Sequence, residues 1–157
     1  MPIVLAISLL LLGAAPPHCV VARVIDGDTF RCRDGTRVRL IGIDSPERGQ
    51  GPAARAAAAA LARWLPRGRT VRLERDVVAA DRYGRTLAWV WVADTLVNEA
   101  MVRAGWALLY TVPPNVKYVD RLTRAQRAAR AAGAGLWRRG EPSCPPARFR
   151  RKECTGL

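Results

Sequence analysis

Two Asp-Gly turns cut the first β-rich stretch of this chain into short pieces, which only a tightly curved sheet can use. Val20-Val21-Ala22-Arg23-Val24-Ile25 runs into Asp26-Gly27-Asp28, Thr29 to Arg33 runs into Asp34-Gly35, and Arg37 to Ile43 follows. β-Branched residues bounded by Asp-Gly read as strands joined by tight turns. The prediction is a three-stranded antiparallel meander.

The rest alternates helix and strand. Gly51-Pro52 opens a helix over 53–65, with Pro in the first turn and Pro66 and Gly68 beyond its end. Its five alanines at 56–60 are good helix formers and need no functional explanation. A fourth strand is expected over 70–74, where Val71 and Leu73 alternate with Arg72 and Glu74. A fifth, 85–92, is apolar on both faces. Asp94 or Thr95 is placed to cap a helix ending at Ala104, and Leu122, Ala125 and Ala129 share one face of a last helix over 118–134. From Arg138 onward no periodicity survives. The fold class is therefore α+β, mainly β: a small five-stranded barrel with three helices. Most of the five tryptophans are read as core.

At 157 residues there is room for one domain and a tail. Lys plus Arg number 26 against 13 Asp plus Glu, a formal charge of +13, and only Lys117 and Lys152 are lysine. An arginine surplus in so small a domain favours a polyanionic partner, although drift toward Ala and Arg produces the same composition. The single histidine, His18, leaves little room for Ser-His-Asp or Cys-His chemistry. Cys19, Cys32, Cys144 and Cys154 lack the paired spacing of a zinc site. Pairing 19 with 32 and 144 with 154 is the simplest of three connectivities, and the other two stay open.

What remains for chemistry is carboxylates and arginines at strand ends. Asp26 and Asp28 occupy the first turn, Asp44 and Glu47 follow the third strand, Arg39 lies in that strand, and Arg85 opens the fifth. If the barrel closes, these can share one rim. Clustered carboxylates need a cation, and oxygen-only ligands point to Ca2+ or Mg2+. Neighbouring arginines supply the donors a phosphodiester needs as charge builds on its oxygens. Each piece alone has a plainer reading: a turn, a capped loop, an Arg85–Asp81 pair.

Their order is more specific. Val24-Ile25-Asp26-Gly27-Asp28-Thr29, Val38-Arg39-Leu40-Ile41-Gly42-Ile43-Asp44-Ser45-Pro46-Glu47, Asp81-Arg82-Tyr83-Gly84-Arg85 and Val97-Asn98-Glu99 together resemble the staphylococcal nuclease family, over about residues 20–137. The resemblance implies an OB-fold barrel with three helices. It implies a Ca2+-dependent endonuclease that acts on DNA and RNA and leaves 3′-phosphates. Asp28 and Asp44 would bind Ca2+ through their side chains and Ser45 through its carbonyl, with Asp26 supporting the metal indirectly. Glu47 would activate water, Arg39 and Arg85 would hold the phosphate, and Arg82, Tyr83 and Tyr110 would line the nucleotide site. Ser45 stands where the best-known member has Thr, and the segment between Glu47 and Pro52 lacks that member's long lysine-bearing loop.

Ile3 to Leu12 form an apolar run, followed by Gly13-Ala14-Ala15 and Pro16-Pro17. Its length suits a signal-peptide core better than a membrane span. The expected organisation is a leader over 1–15, a nuclease domain over 16–137 and a basic tail with Pro and Cys over 138–157. A buried first strand and an uncleaved anchor are the alternatives for the leader. The even cysteine count agrees with export to the periplasm or beyond. The expected partners are DNA and RNA, preferably single-stranded or locally melted, for a monomer with no membrane partner after cleavage. A non-catalytic OB-fold that binds nucleic acid is the competing reading. An envelope protein gripping acidic polymers would explain the charge but not the motifs.

Overall fold

A computed structural model describes residues 17–154; the leader expected over 1–15, with residue 16 and the last three residues, lies outside the described region. The meander is present as β1 (His18–Val24), β2 (Thr29–Cys32) and β3 (Arg37–Leu40), with Val24 opposite Phe30 and Phe30 opposite Val38. The third strand does not run on to Ile43 as expected. It breaks at Gly42, which has φ +77°, and resumes as β4 (Ile43–Asp44) in another direction. A side chain at Gly42 would strike Leu122 and Trp89 at under 3 Å, so both the bend and the contact need glycine.

Helix α1 (Pro52–Trp64) buries Ala54, Ala57, Ala60 and Leu61. Strands β5 (Thr70–Glu74) and β6 (Thr86–Val92) follow. The next helix differs from expectation at its start. Asp94 lies in a turn, and β7 (Thr95–Leu96) folds back on β6, so α2 (Val97–Arg103) begins after Leu96 without a side-chain cap. Then come β8 (Leu108–Leu109), paired with β4, and α3 (Val119–Ala131), which buries Leu122, Ala125 and Ala129 as expected. The tail expected to lack structure carries a fourth short helix, α4 (Pro146–Arg150).

The main sheet runs β3-β2-β1-β5-β6-β7, and β3 also pairs in parallel with β6. That pairing closes five strands into a barrel filled by Val21, Phe30, Val38, Leu40, Val71, Trp89 and Val90, and closure removes the open sheet edges. Trp89 and Trp137 are buried, and Trp64, Trp91 and Trp106 are partly buried against the core, so none of the five is left as an exposed stacking platform. Cys19 on β1 and Cys32 on β2 form one disulfide and Cys144 and Cys154 the other, the simplest of the three connectivities. Among the described residues no helix is long and apolar enough to cross a membrane.

Candidate active site

The β1–β2 turn reaches the rim because Gly27 lies flat against Ser45 and Ala57; a Cβ there would come within 2.7 Å of both. Asp28 is buried beneath it. Its Oδ2 accepts the Ser45 backbone N–H at 3.0 Å and the Ser45 hydroxyl at 2.9 Å, and its Oδ1 accepts the Thr29 hydroxyl at 2.9 Å. The Leu40 N–H donates to the Asp28 carbonyl at 2.8 Å, tying the turn to β3.

Arg39 sits opposite Thr29 in the β2–β3 register, which brings it over the same turn. Its Nε lies 3.2 Å from Asp28 Oδ1 and its Nη2 3.5 Å from Asp44 Oδ1, so one guanidinium bridges both buried acids. Asp44 is delivered by the Gly42 bend and held in β4 opposite Leu108. The Tyr110 N–H donates to the Gly42 carbonyl at 2.9 Å, which sets Tyr110 at the edge of the site.

Burial works to raise the Asp28 carboxyl, but the Arg39 charge and the Ser45 and Thr29 hydrogen bonds outweigh it and hold it below its ordinary value. Asp26 behaves oppositely. Burial, and then the negative charge of Asp28 beside it, push its carboxyl up to about 6.

The Asp81–Arg85 turn forms the opposite wall. Asp81 Oδ1 accepts the Tyr83 and Arg85 backbone N–H groups at 2.9 and 3.0 Å, and its Oδ2 takes the Arg85 Nε at 2.7 Å. The plain reading of Arg85 as a partner of Asp81 is thus present, but it uses only Nε. Arg37, which sequence reasoning did not single out, anchors the turn to β3 by donating to the Tyr83 carbonyl at 2.7 Å. Arg82 stacks on the Tyr83 ring, 4.8 Å from its centroid. Tyr83 and Tyr110 are exposed at 57% and 42%, and they supply the aromatic faces that the tryptophans do not.

One open cavity of about 470 Å3 is lined by Asp26, Asp28, Arg39, Ser45, Glu47, Arg82, Tyr83, Arg85 and Tyr110. Asp44 joins it through Arg39. The residues given a metal, catalytic or nucleotide-contacting role from sequence are therefore brought to one place. Glu47 stands at the mouth, its N–H bonded to Gln50 Oε1 at 2.8 Å, with its side chain partly exposed. Arg150 of α4 also lines this cavity, and no sequence signal indicated it.

The donor set suits a hard cation, with carboxylate and carbonyl oxygens and no nitrogen or sulfur. Among the described residues no three Asp, Glu, His or Cys side chains form a metal centre by themselves. Asp28 and Asp44 would hold such an ion with the Ser45 carbonyl, and water and substrate oxygens would complete the shell.

The staphylococcal nuclease homologue family model matches residues 37–139. The thermonuclease of Staphylococcus intermedius is 41% identical over 128 residues, covering 76% of each chain. An uncharacterised endonuclease of Escherichia coli O157:H7 is 36% identical over 155 residues, covering 92% of each. The protein ParB of Escherichia coli is 39% identical over 129 residues, 74% of this chain and 70% of its own. Identity at this level over most of the chain, on a closed five-stranded barrel, leaves one assignment: the chain belongs to the staphylococcal nuclease family, and its relatives support an endonuclease.

Proposed function

We propose that this protein is a Ca2+-dependent endonuclease that hydrolyses phosphodiester bonds of DNA and RNA and leaves 3′-phosphates. The observation that carries this reading is Arg39 bridging Asp28 and Asp44 in a cavity that also presents Glu47 and Arg85. A binding module has no use for buried acids facing a phosphate, whereas hydrolysis needs them.

Asp28, Asp44 and the Ser45 carbonyl would hold the ion, and Asp26 would support it indirectly. When bound, the cation supplies Lewis-acid polarisation of a phosphoryl oxygen. Glu47 accepts a proton from the attacking water, a role its position at the solvent-facing mouth allows. Arg39 and Arg85 donate to the non-bridging phosphate oxygens, and those contacts strengthen as charge develops. Tyr83, Arg82 and Tyr110 contact the nucleotide, and a strand that is single or locally melted reaches them most easily.

The proposal extends to a nuclease domain over 16–137 with a basic tail over 138–157, acting as a monomer. It further includes a leader over 1–15 and export to the periplasm or beyond. The two disulfides support export. Incubation of the purified protein with plasmid DNA and with RNA, in Ca2+ or in chelator, tests the reading. Cleavage in Ca2+ alone, with phosphatase-sensitive 3′ ends, is expected. Cleavage that persists in chelator removes the metal assignment, and tight binding without cleavage favours a non-catalytic OB-fold.

A further inference from the structure

The tail is docked at the mouth of the cavity by several independent contacts. Gln50 Nε2 donates to the Cys144 carbonyl at 2.8 Å, and Pro146 is buried. The Phe149 ring lies against Gly49 so closely that a Cβ there would come within 2.7 Å of it. Gln50 and Gly49 belong to the short segment between Glu47 and Pro52, so the tail packs beside that segment. The Cys144–Cys154 disulfide closes the loop that carries α4.

The docked tail aims Arg150 at the acids. Nη1 donates to Asp44 Oδ1 at 2.8 Å and to Glu47 Oε1 at 2.6 Å, while Nη2 donates to Asp44 Oδ2 at 2.9 Å. Both oxygens of Asp44 are thereby taken by one guanidinium, which also lies 5.8 Å from the Tyr110 ring. We propose that Arg150, carried on the disulfide-closed tail, is a tethered cation that occupies the Asp44–Glu47 end of the site and must be displaced before a divalent cation binds there. This rests on the metal-binding reading given above.

Charge and geometry favour a competitor over a ligand for substrate. The hydrogen bonds of the Arg150 guanidinium go to carboxylates, and the paired Nη1 and Nη2 contacts to Asp44 are the strong, charge-assisted kind. A group held on a short closed loop acts at a local concentration in the millimolar range and does not dilute away. Opening the Cys144–Cys154 loop loosens the carrier and weakens the competition. The tail would then set the Ca2+ level at which the site loads.

Calorimetric titration of the full chain with Ca2+, at fixed salt and without nucleic acid, tests this. Arg150→Ala should bind Ca2+ up to about 5-fold more tightly than the parent, a partly exposed charge pair being worth no more. The Cys144→Ser/Cys154→Ser double variant should shift the same way. Thermal unfolding checks that each variant is folded; if Arg150→Ala is not, Arg150→Gln and the double variant carry the same comparison. Unchanged or weaker Ca2+ affinity in folded Arg150 variants overturns the tethered-cation proposal and leaves the Ca2+ assignment standing. Absence of Ca2+ binding in every protein overturns both.

Discussion

Ser45 places two donors, its backbone N–H and its hydroxyl, on the same carboxylate oxygen of Asp28 at 3.0 and 2.9 Å. The two residues are far apart in the chain, and both are buried at the rim. A carboxylate fixed in this way is oriented before any ligand arrives, so the Ser45 side chain matters beyond the carbonyl expected of it. Ser45→Ala removes one hydrogen bond to a buried charge and should lower stability by about 1.5–3 kcal/mol. Denaturant unfolding measures that loss, and Ca2+ titration of the same variant should show weaker binding.

Asn98 ties α2 to β6 and to the segment that follows β3. Its Oδ1 accepts the Val90 N–H at 2.9 Å, and its Nδ2 donates to the Ile41 carbonyl at 2.8 Å and the Ala88 carbonyl at 3.3 Å. Asn98→Ala would leave the buried Val90 N–H and Ile41 carbonyl without this partner, at a cost of about 2–4 kcal/mol. Unfolding midpoints measure the loss, and a change below 1 kcal/mol, roughly the net value of one ordinary bond, would contradict this account.

Glu99 gives the stability a pH dependence. Burial works to raise its carboxyl, but bonds from Arg103 and Arg121, both at 2.9 Å, and their charges hold it below its ordinary value. A depressed folded value means that this contribution is present above the unfolded value of about 4.3 and is lost as pH falls through the folded one. Glu99→Gln should therefore be less stable than the parent at neutral pH and converge with it in strong acid. Urea midpoints at the two pH values measure this.

The Cys19–Cys32 bridge spans 13 residues between paired strands. Replacing both cysteines by Ala should lower stability by about 3 kcal/mol through freedom regained by the unfolded chain. Comparison of the double variant with the oxidised parent by denaturant titration tests the value.

What was legible in the sequence was local. Asp26-Gly27-Asp28 and Asp81-Arg82-Tyr83-Gly84-Arg85 are turns whose chemistry lies within a few adjacent residues, and the β-branched runs beside them carry the strand period. The bend at Gly42 was not legible, because Val38 to Ile43 reads as one apolar, β-branched run and the side chains packed against Gly42, Leu122 and Trp89, are distant in the chain. Asp94 had the chemistry of a cap but lies in a hairpin turn, which β7 pairing with β6 decides. Arg150 was hidden for a similar reason. Its partners Asp44 and Glu47 are more than a hundred residues away, and nothing in a Pro- and Arg-rich tail shows which arginine folds back.

The central claim is that Glu47 does chemistry in this cavity and does not merely cap a turn. Cleavage rate and nucleic-acid affinity, measured in Ca2+ at one salt concentration on the same preparations of parent and Glu47→Gln, test it most directly. The substitution keeps shape and removes basicity, so the rate should fall by about 100-fold or more, the usual range for a positioned general base. Affinity should hardly change, because it comes mainly from the arginine surplus. A Glu47→Gln protein that cleaves at the parent rate would contradict the account.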